Sequence, residues 1–141
     1  MPICFLKAAK LKVIALRTVL LVEDSKLLRV EREHTLKKAG YHVVVAVDGI
    51  EALNVARDNH PDLILLDMML PNLDGPSVLR ALKADALTAQ IPVVVVTGLS
   101  QKNEEKLLHD GAAAFVGKDQ LQTSNEPLLY MIKKILGSCV V

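Results

Sequence analysis

Apolar runs alternate with helix-like patterns from residue 18 to the end of the chain. Five runs are rich in Val and Leu and lack apolar–polar alternation, which is typical of strands covered on both faces in a parallel sheet. They are Thr18–Val22, His42–Val45, Asp62–Leu66, Pro92–Val96 and Ala113–Val116. The stretches around them predict five helices, at Lys26–Ala39, Ile50–Asp58, Ser77–Ala84, Gln101–Asp110 and Asn125–Leu136.

Local signals at the helix ends support this pattern. Gly40, Gly111 and Gly137 stand just past three of the helices, where a left-handed residue is expected, and Pro76 suits a first helical turn. Five β-α units predict right-handed crossovers and an open, doubly wound α/β sheet. In such sheets the functional site lies outside the carboxyl ends of the strands.

Composition and charge narrow the possibilities further. A chain of 141 residues with 3% aromatic residues predicts a single domain with an aliphatic core. A net charge of +1 offers no electrostatic basis for binding nucleic acid or an anionic membrane. The two cysteines, Cys4 and Cys139, form no disulfide framework, so we expect free thiols and a cytoplasmic location.

The first seventeen residues differ from the rest because they contain four cations and no acid. These cations interrupt the apolar stretch that a signal peptide needs, and no run reaches the length of a membrane span. We therefore expect an N-terminal extension of unknown role at 1–17, one domain at 18–137 and a short tail at 138–141.

Reactive side chains follow four of the five predicted strands. Glu23 and Asp24 come after the first, Asp67 after the third, Thr97 after the fourth and Lys118 after the fifth. A carboxylate can attack phosphorus to give an acyl phosphate, and Mg²⁺ takes carboxylates together with phosphate oxygens. The three acids carry −3 and Lys118 carries +1, so a divalent cation balances the set. The conjunction predicts a metal-assisted, phosphoryl-accepting site.

Each residue alone has a simpler explanation. Asp24 has about even odds of being a helix N-cap, Asp67 alone suits turn chemistry, Thr97 precedes Gly98 as in a turn, and Lys118 fits a solvated loop. The placement of all of them at strand ends, in order, favours the site.

The chain resembles the receiver domain of two-component response regulators from Thr18 to about Leu136. The most specific stretch is His60–Gly75, which reads HPDLILLDMMLPNLDG. The resemblance implies a flavodoxin-like five-stranded parallel sheet in the order 2-1-3-4-5 with five helices. It also implies phosphorylation by a histidine kinase or histidine phosphotransfer protein, and an unknown output partner on the face of the fourth helix, fifth strand and fifth helix. Because the chain ends after the fifth helix, we expect a stand-alone receiver.

The same resemblance implies a role for each site residue. Asp67 corresponds to the phosphoacceptor, and Glu23 and Asp24 to the acidic pair that holds Mg²⁺ (or Mn²⁺) with Asp67 and the backbone carbonyl of Met69. Thr97 corresponds to the switch hydroxyl and Lys118 to the phosphate-pairing lysine. Phe115 corresponds to the aromatic switch.

Two features depart from the family pattern. Asp119 follows Lys118 where the family usually has a proline after a cis bond; we predict a trans bond because a cis bond there costs about 3 kcal/mol. The change puts the position of Lys118 in question, and Asp119 is a possible competitor for its charge. Met69 and Leu99 are apolar and would flank the phosphoryl group, so we hypothesise slow self-dephosphorylation.

Other functions fit less well. An atypical receiver that binds partners without phosphorylation stays open because of Asp119. A magnesium-dependent phosphatase of the haloacid-dehalogenase type would carry its nucleophile on the first strand and a second Asp where Met69 stands. A flavodoxin-like FMN protein would need a phosphate-binding loop after the first strand.

Overall fold

A computed structural model describes residues 16–98, 101–121 and 124–137, without the side chains of residues 101–104. Strands and helices alternate along it, as the sequence predicts. The strands are β1 (Thr18–Val22), β2 (His42–Ala46), β3 (Leu63–Asp67), β4 (Val93–Thr97) and β5 (Ala114–Gly117). The helices are α1 (Lys26–Lys38), α2 (Gly49–Asn59), α3 (Gly75–Ala84), α4 (Gln101–His109) and α5 (Glu126–Leu136), and a short 3-10 helix (Lys118–Leu121) follows β5.

The strands form one parallel sheet in the order β2-β1-β3-β4-β5, which confirms the predicted doubly wound fold. The ladder continues into the strand ends, where Asp67 lies opposite Val96 and Thr97 lies opposite Gly117. The predicted limits of β3, β4 and β5 were therefore each one residue too early. Asp67 and Thr97 are the last paired residues of their strands and are held by the sheet itself.

Alternate strand residues point to opposite faces of the sheet, and each face has its own aliphatic core. Leu20, Ile64 and Val95 belong to the first core, which α2, α3 and α4 cover. Leu21 and Leu65 belong to the second, which α1 and α5 cover. Burial of each such side chain contributes about 1.5–3 kcal/mol, so these two cores fix the strand ends firmly.

The helix ends show which local predictions were correct. Gly40 and Gly111 have φ angles of +101° and +110°, as expected for residues just past a helix. The end of α2 was predicted one residue early, at Asp58, and it is His60 rather than a glycine that takes the left-handed conformation just past the helix, with φ of 46°. The start of α3 was predicted two residues late, because Asp74 accepts a hydrogen bond from the Ser77 N–H and begins the helix at Gly75.

The turn after β3 is closely packed against its surroundings. The Gly75 N–H donates to the Met68 carbonyl at 3.2 Å. A Cβ on Gly75 would lie 2.5 Å from the Met68 Cα and 2.8 Å from the Met68 oxygen. On the other side, the Asn72 side chain donates to Asp48 at 3.0 Å. The loop that follows Asp67 is therefore fixed by backbone contact and by a hydrogen bond to the start of α2.

None of the helices in the part of the chain that the structure describes has the length and apolar character of a membrane span. Cys4, Leu99 and Cys139, on which three sequence predictions depend, lie outside the described residues.

Candidate functional site

Five of the predicted site residues lie at the carboxyl end of the sheet. Glu23 and Asp24 follow β1 directly, Asp67 and Thr97 end β3 and β4, and Lys118 follows β5. Because the five strands are parallel, their carboxyl ends meet at the same edge. The order of the strands places the acidic residues of β1 and β3 side by side.

Three carboxylates form a compact cluster at this edge. Oxygen atoms of Glu23, Asp24 and Asp67 lie within 4.8 Å of one another. Glu23 and Asp67 are buried, whereas Asp24 is exposed. Carboxylate oxygens are the ligands that Mg²⁺ prefers, and an exposed member leaves room for the waters that this ion retains. The donor set therefore fits a hard divalent cation.

Lys118 reaches the same cluster from the other side. Its Nζ lies 3.3 Å from Asp67 Oδ1, with the lysine side chain 36% exposed and the aspartate 3% exposed. The same Oδ1 accepts a hydrogen bond from the Met69 N–H at 3.1 Å. One oxygen of Asp67 is thus oriented by a cation and by the loop that follows β3.

The unusual Lys118–Asp119 sequence does not displace the lysine. No peptide bond is cis within the described residues, so the bond before Asp119 is trans, as predicted. A 3-10 helix begins at Lys118. Within it, the Gln120 Oε1 accepts a hydrogen bond from the Gly117 N–H at 2.9 Å. Asp119 Oδ1 lies over Gly117, 2.5 Å from where a Cβ would stand. The ion pair of Lys118 in this structure is with Asp67.

Arg32 is the site residue that sequence analysis missed. It lies on α1 with its side chain 7% exposed, and its Nη1 donates to Glu23 Oε1 at 2.6 Å. The charge balance derived from the sequence was therefore incomplete by one positive charge. The sequence places Arg32 one turn before Leu36, but only the burial of Leu36 in the structure shows that this face of α1 is covered. A buried guanidinium requires an acidic partner.

The environment of Glu23 opposes its ionisation. Burial raises the pKa of Glu23 above its ordinary value, and the negative charge of Asp67 raises it further. The Ser25 N–H, which donates to Glu23 Oε2 at 3.2 Å, and the charge of Arg32 partly counter this increase. The acidic cluster is electrostatically strained, and added positive charge would relieve it.

The loop after β1 shows that Asp24 is not the N-cap of α1, which was the simpler explanation of this residue. Ser25, not Asp24, caps α1, since its side chain accepts from the Leu28 N–H at 3.4 Å. Arg29 shapes the same loop by donating to the carbonyls of Glu23 and Asp24 at 3.1 and 3.3 Å. The Asp24 carboxylate is therefore not used for capping.

The other predicted residues differ in their burial. Thr97 is buried at the end of β4. Phe115 is partly buried on β5 and packs against the first core. The Met69 side chain is 70% exposed.

Residues 19–126 match the family model of the response regulator receiver domain. The polar-differentiation response regulator DivK of Brucella ovis is 37% identical over 103 residues, which cover 72% of this chain and 84% of that protein. DivK of Brucella anthropi is 36% identical over the same coverage.

Solved structures of receiver domains and response regulators are also similar to this chain. A putative response regulator from Chloroflexus aurantiacus superposes with a TM-score of 0.79 and 28% identity, covering 87% of this chain and 99% of that one. Chemotaxis protein CheY4 of Vibrio cholerae has a TM-score of 0.78 and 29% identity, covering 85% and 98%. The receiver domain of sensor histidine kinase PA1611 from Pseudomonas aeruginosa, solved with a magnesium ion coordinated in its active site cleft, has a TM-score of 0.77 and 28% identity, covering 87% and 99%.

Proposed function

Because the chain belongs to the response regulator receiver domain family of two-component signalling, we propose that it accepts a phosphoryl group on Asp67 and signals through partner binding. Receiver domains are signalling modules rather than dedicated enzymes. The observation that carries the proposal is the surroundings of Asp67. Two further carboxylates lie within 4.8 Å and the Lys118 ammonium lies 3.3 Å away.

The proposed reaction begins with ionised Asp67 as the nucleophile. Its oxygen forms a bond to the phosphorus of a phosphohistidine as the phosphorus–nitrogen bond breaks, and the electron pair of that bond returns to the donor imidazole, which ends as neutral histidine once it binds a proton. Lys118 stabilises the negative charge on the phosphoryl oxygens, and the Thr97 hydroxyl donates a hydrogen bond to one of them. Phe115 acts as the aromatic switch that reports this change to the surface.

The proposed metal site consists of the Glu23, Asp24 and Asp67 carboxylates with the backbone carbonyl of Met69. Bound Mg²⁺ (or Mn²⁺) would offset the repulsion between these acids and the incoming phosphoryl group. The cluster geometry supports this assignment. So does the Pseudomonas receiver domain, which has a magnesium ion in its active site cleft.

We propose that the phosphoryl donor is a histidine kinase or a histidine phosphotransfer protein, in the cytoplasm. The receiver unit would extend from residue 18 to residue 137. The output protein would bind the face formed by α4, β5 and α5; Leu108 of α4 and Tyr130 of α5 are 47% and 66% exposed. Exposed apolar side chains are suited to a protein contact.

Intact-mass analysis after incubation with acetyl phosphate and Mg²⁺ tests the proposal. We expect a gain of one phosphoryl group in the wild type and in Asp58→Asn, an exposed aspartate of α2 that serves as the matched control. Asp67→Asn, and the wild type in EDTA, should show no gain. Phosphorylation that persists in Asp67→Asn would refute the assignment of Asp67.

The lifetime of the acyl phosphate is a separate proposal. The exposed side chain of Met69, two residues after Asp67, cannot orient a water molecule for attack, so we expect self-dephosphorylation to be slow. Met69→Asn should shorten the lifetime measured by intact mass after removal of acetyl phosphate. Loss of the wild-type phosphoryl group within seconds would contradict this expectation.

The alternatives have less support. The Lys118–Asp67 ion pair argues against a phosphorylation-independent receiver, since Asp119 does not draw the lysine from Asp67. A haloacid-dehalogenase-type phosphatase is disfavoured because Asp67 ends the third strand and Met69 occupies the position of the second acid.

A further inference from the structure

Arg32 occupies a position on α1 that packs toward the sheet. Leu36, one turn further along, is fully buried in the second core, and Leu28, one turn before, is partly buried. A guanidinium in such a place loses its hydration and needs an acidic partner. That partner is Glu23, at 2.6 Å.

Both oxygens of Glu23 have partners within the protein. Oε1 accepts from Arg32, and Oε2 accepts from the Ser25 N–H at 3.2 Å. Glu23 is therefore held in one orientation before any ion arrives. A bound metal ion and Arg32 would both interact with the Glu23 carboxylate.

Arg32 also changes the charge of the whole site. Glu23, Asp24 and Asp67 carry three negative charges, and Lys118 and Arg32 carry two positive ones. The metal-free site is thus at −1, where the acids and Lys118 alone would leave it at −2. A divalent ion brings it to +1 rather than to neutrality.

We propose that Arg32 is a built-in counter-cation of the acidic site: it keeps the site formed without a divalent ion and lowers the affinity of the site for that ion. This inference rests on the proposed function, because the metal site is the one described there. Arg32 is a positioning residue, since it acts through Glu23 and not on the phosphoryl group.

The test is Mg²⁺ titration by isothermal calorimetry on the unphosphorylated full chain, with Arg32→Gln as the neutral variant. Glutamine can still hydrogen-bond to Glu23 but carries no charge. Arg32→Gln should bind Mg²⁺ on the order of ten-fold more tightly than the wild type, because repulsion between the ion and the guanidinium is removed. Arg32→Lys retains the charge and should bind Mg²⁺ within about three-fold of the wild type.

Thermal unfolding in EDTA and in saturating Mg²⁺ supplies the second readout. Arg32→Gln should be less stable than the wild type in EDTA, and Mg²⁺ should restore most of the difference by replacing the lost cation. Arg57→Gln is the matched control. It removes an arginine of α2 that is 44% exposed and paired with Asp85 at 3.8 Å, and it should change neither readout.

Several outcomes would overturn the proposal. One is an unchanged Mg²⁺ affinity in Arg32→Gln with an equal loss of stability in EDTA and in Mg²⁺, which is the result for a plain structural ion pair. Another is weaker Mg²⁺ binding in Arg32→Gln, and a third is a variant that stays unfolded in saturating Mg²⁺.

The proposed function can fail separately. A wild type that binds Mg²⁺ but gains no phosphoryl group would refute phosphorylation and leave the role of Arg32 standing, because the titration needs no phosphoryl donor. A wild type that binds no Mg²⁺ would overturn both.

Discussion

Replacing Gly75 by alanine should destabilise the loop that carries Asp67. Gly75 begins α3 and its N–H donates to the Met68 carbonyl, one residue after the proposed phosphoacceptor. The added Cβ would lie 2.5 Å from the Met68 Cα, whereas carbon atoms in contact lie about 3.5–4.0 Å apart. The start of α3 and the backbone of Met68 must therefore separate by roughly 1 Å.

The size of the effect follows from two opposing contributions. Overpacking costs about 1–3 kcal/mol, and the upper end applies because backbone atoms cannot rotate away as a side chain can. Alanine recovers less than about 1 kcal/mol through its better helix propensity. We expect the free energy of unfolding of Gly75→Ala to fall by about 2 kcal/mol, which lowers Tm by roughly 6–10 °C in a chain of this length.

Urea unfolding in EDTA, followed by far-ultraviolet circular dichroism, measures this loss; the chain has no Trp for fluorescence. Gly98→Ala is the matched control, because among the described residues other than its chain neighbours its added Cβ would meet only the Lys118 Cδ, at 4.0 Å. That variant should stay within about 0.5 kcal/mol of the wild type. Equal stability of Gly75→Ala and Gly98→Ala would refute the packing argument.

Three further changes test the site and its supports. Ser25→Ala removes the cap of α1 and should lower the free energy of unfolding by about 1 kcal/mol in the same urea assay; an unchanged value would contradict the capping role. Because the pKa of Glu23 is raised, the folded, metal-free protein binds more protons than the unfolded chain. The free energy of unfolding should therefore fall as the pH rises from 4.5, the ordinary pKa of a glutamate, through the folded-state pKa. Glu23→Gln should lack that component when unfolding is measured from pH 4 to 8 in EDTA, and parallel profiles for the two proteins would argue against it. Lys118→Met should slow the phosphorylation of Asp67 by acetyl phosphate at least about ten-fold by intact mass, because it removes the cation nearest the nucleophile; an unaltered rate would exclude that role.

The fold was predictable because most signals for it are local. Unbroken runs of β-branched residues such as Val93–Val96 are typical of strands covered on both sides, and Gly40 and Gly111 mark helix ends through their own conformational freedom. The clustering of Asp67 with Glu23 also followed, because parallel strands bring their carboxyl ends together.

The features that were missed depend on tertiary contacts. Arg32 looks like a surface residue of a charged helix until the burial of Leu36 shows which face is covered. The two-residue error at the start of α3 has a local cause instead, because the Asp74 side chain caps the helix. The position of Lys118 could not be predicted, because the loop after it has Asp119 where the family usually has a proline. Contacts of Asp119 and Gln120 with Gly117 determine the shape of that loop.

The strand order divides the site into two parts with different lifetimes. Asp67 and Glu23 are attached to β3 and β1, which are hydrogen-bonded on both sides, whereas Lys118 follows β5 at the edge of the sheet. Backbone amides of an interior strand exchange with solvent only when the whole sheet opens, while an edge strand can open locally at lower free energy. Hydrogen exchange should therefore be slowest in β1 and β3 and faster in β5. The acidic half of the site would persist as long as the fold itself, and the lysine half could be released and recaptured many times within that period.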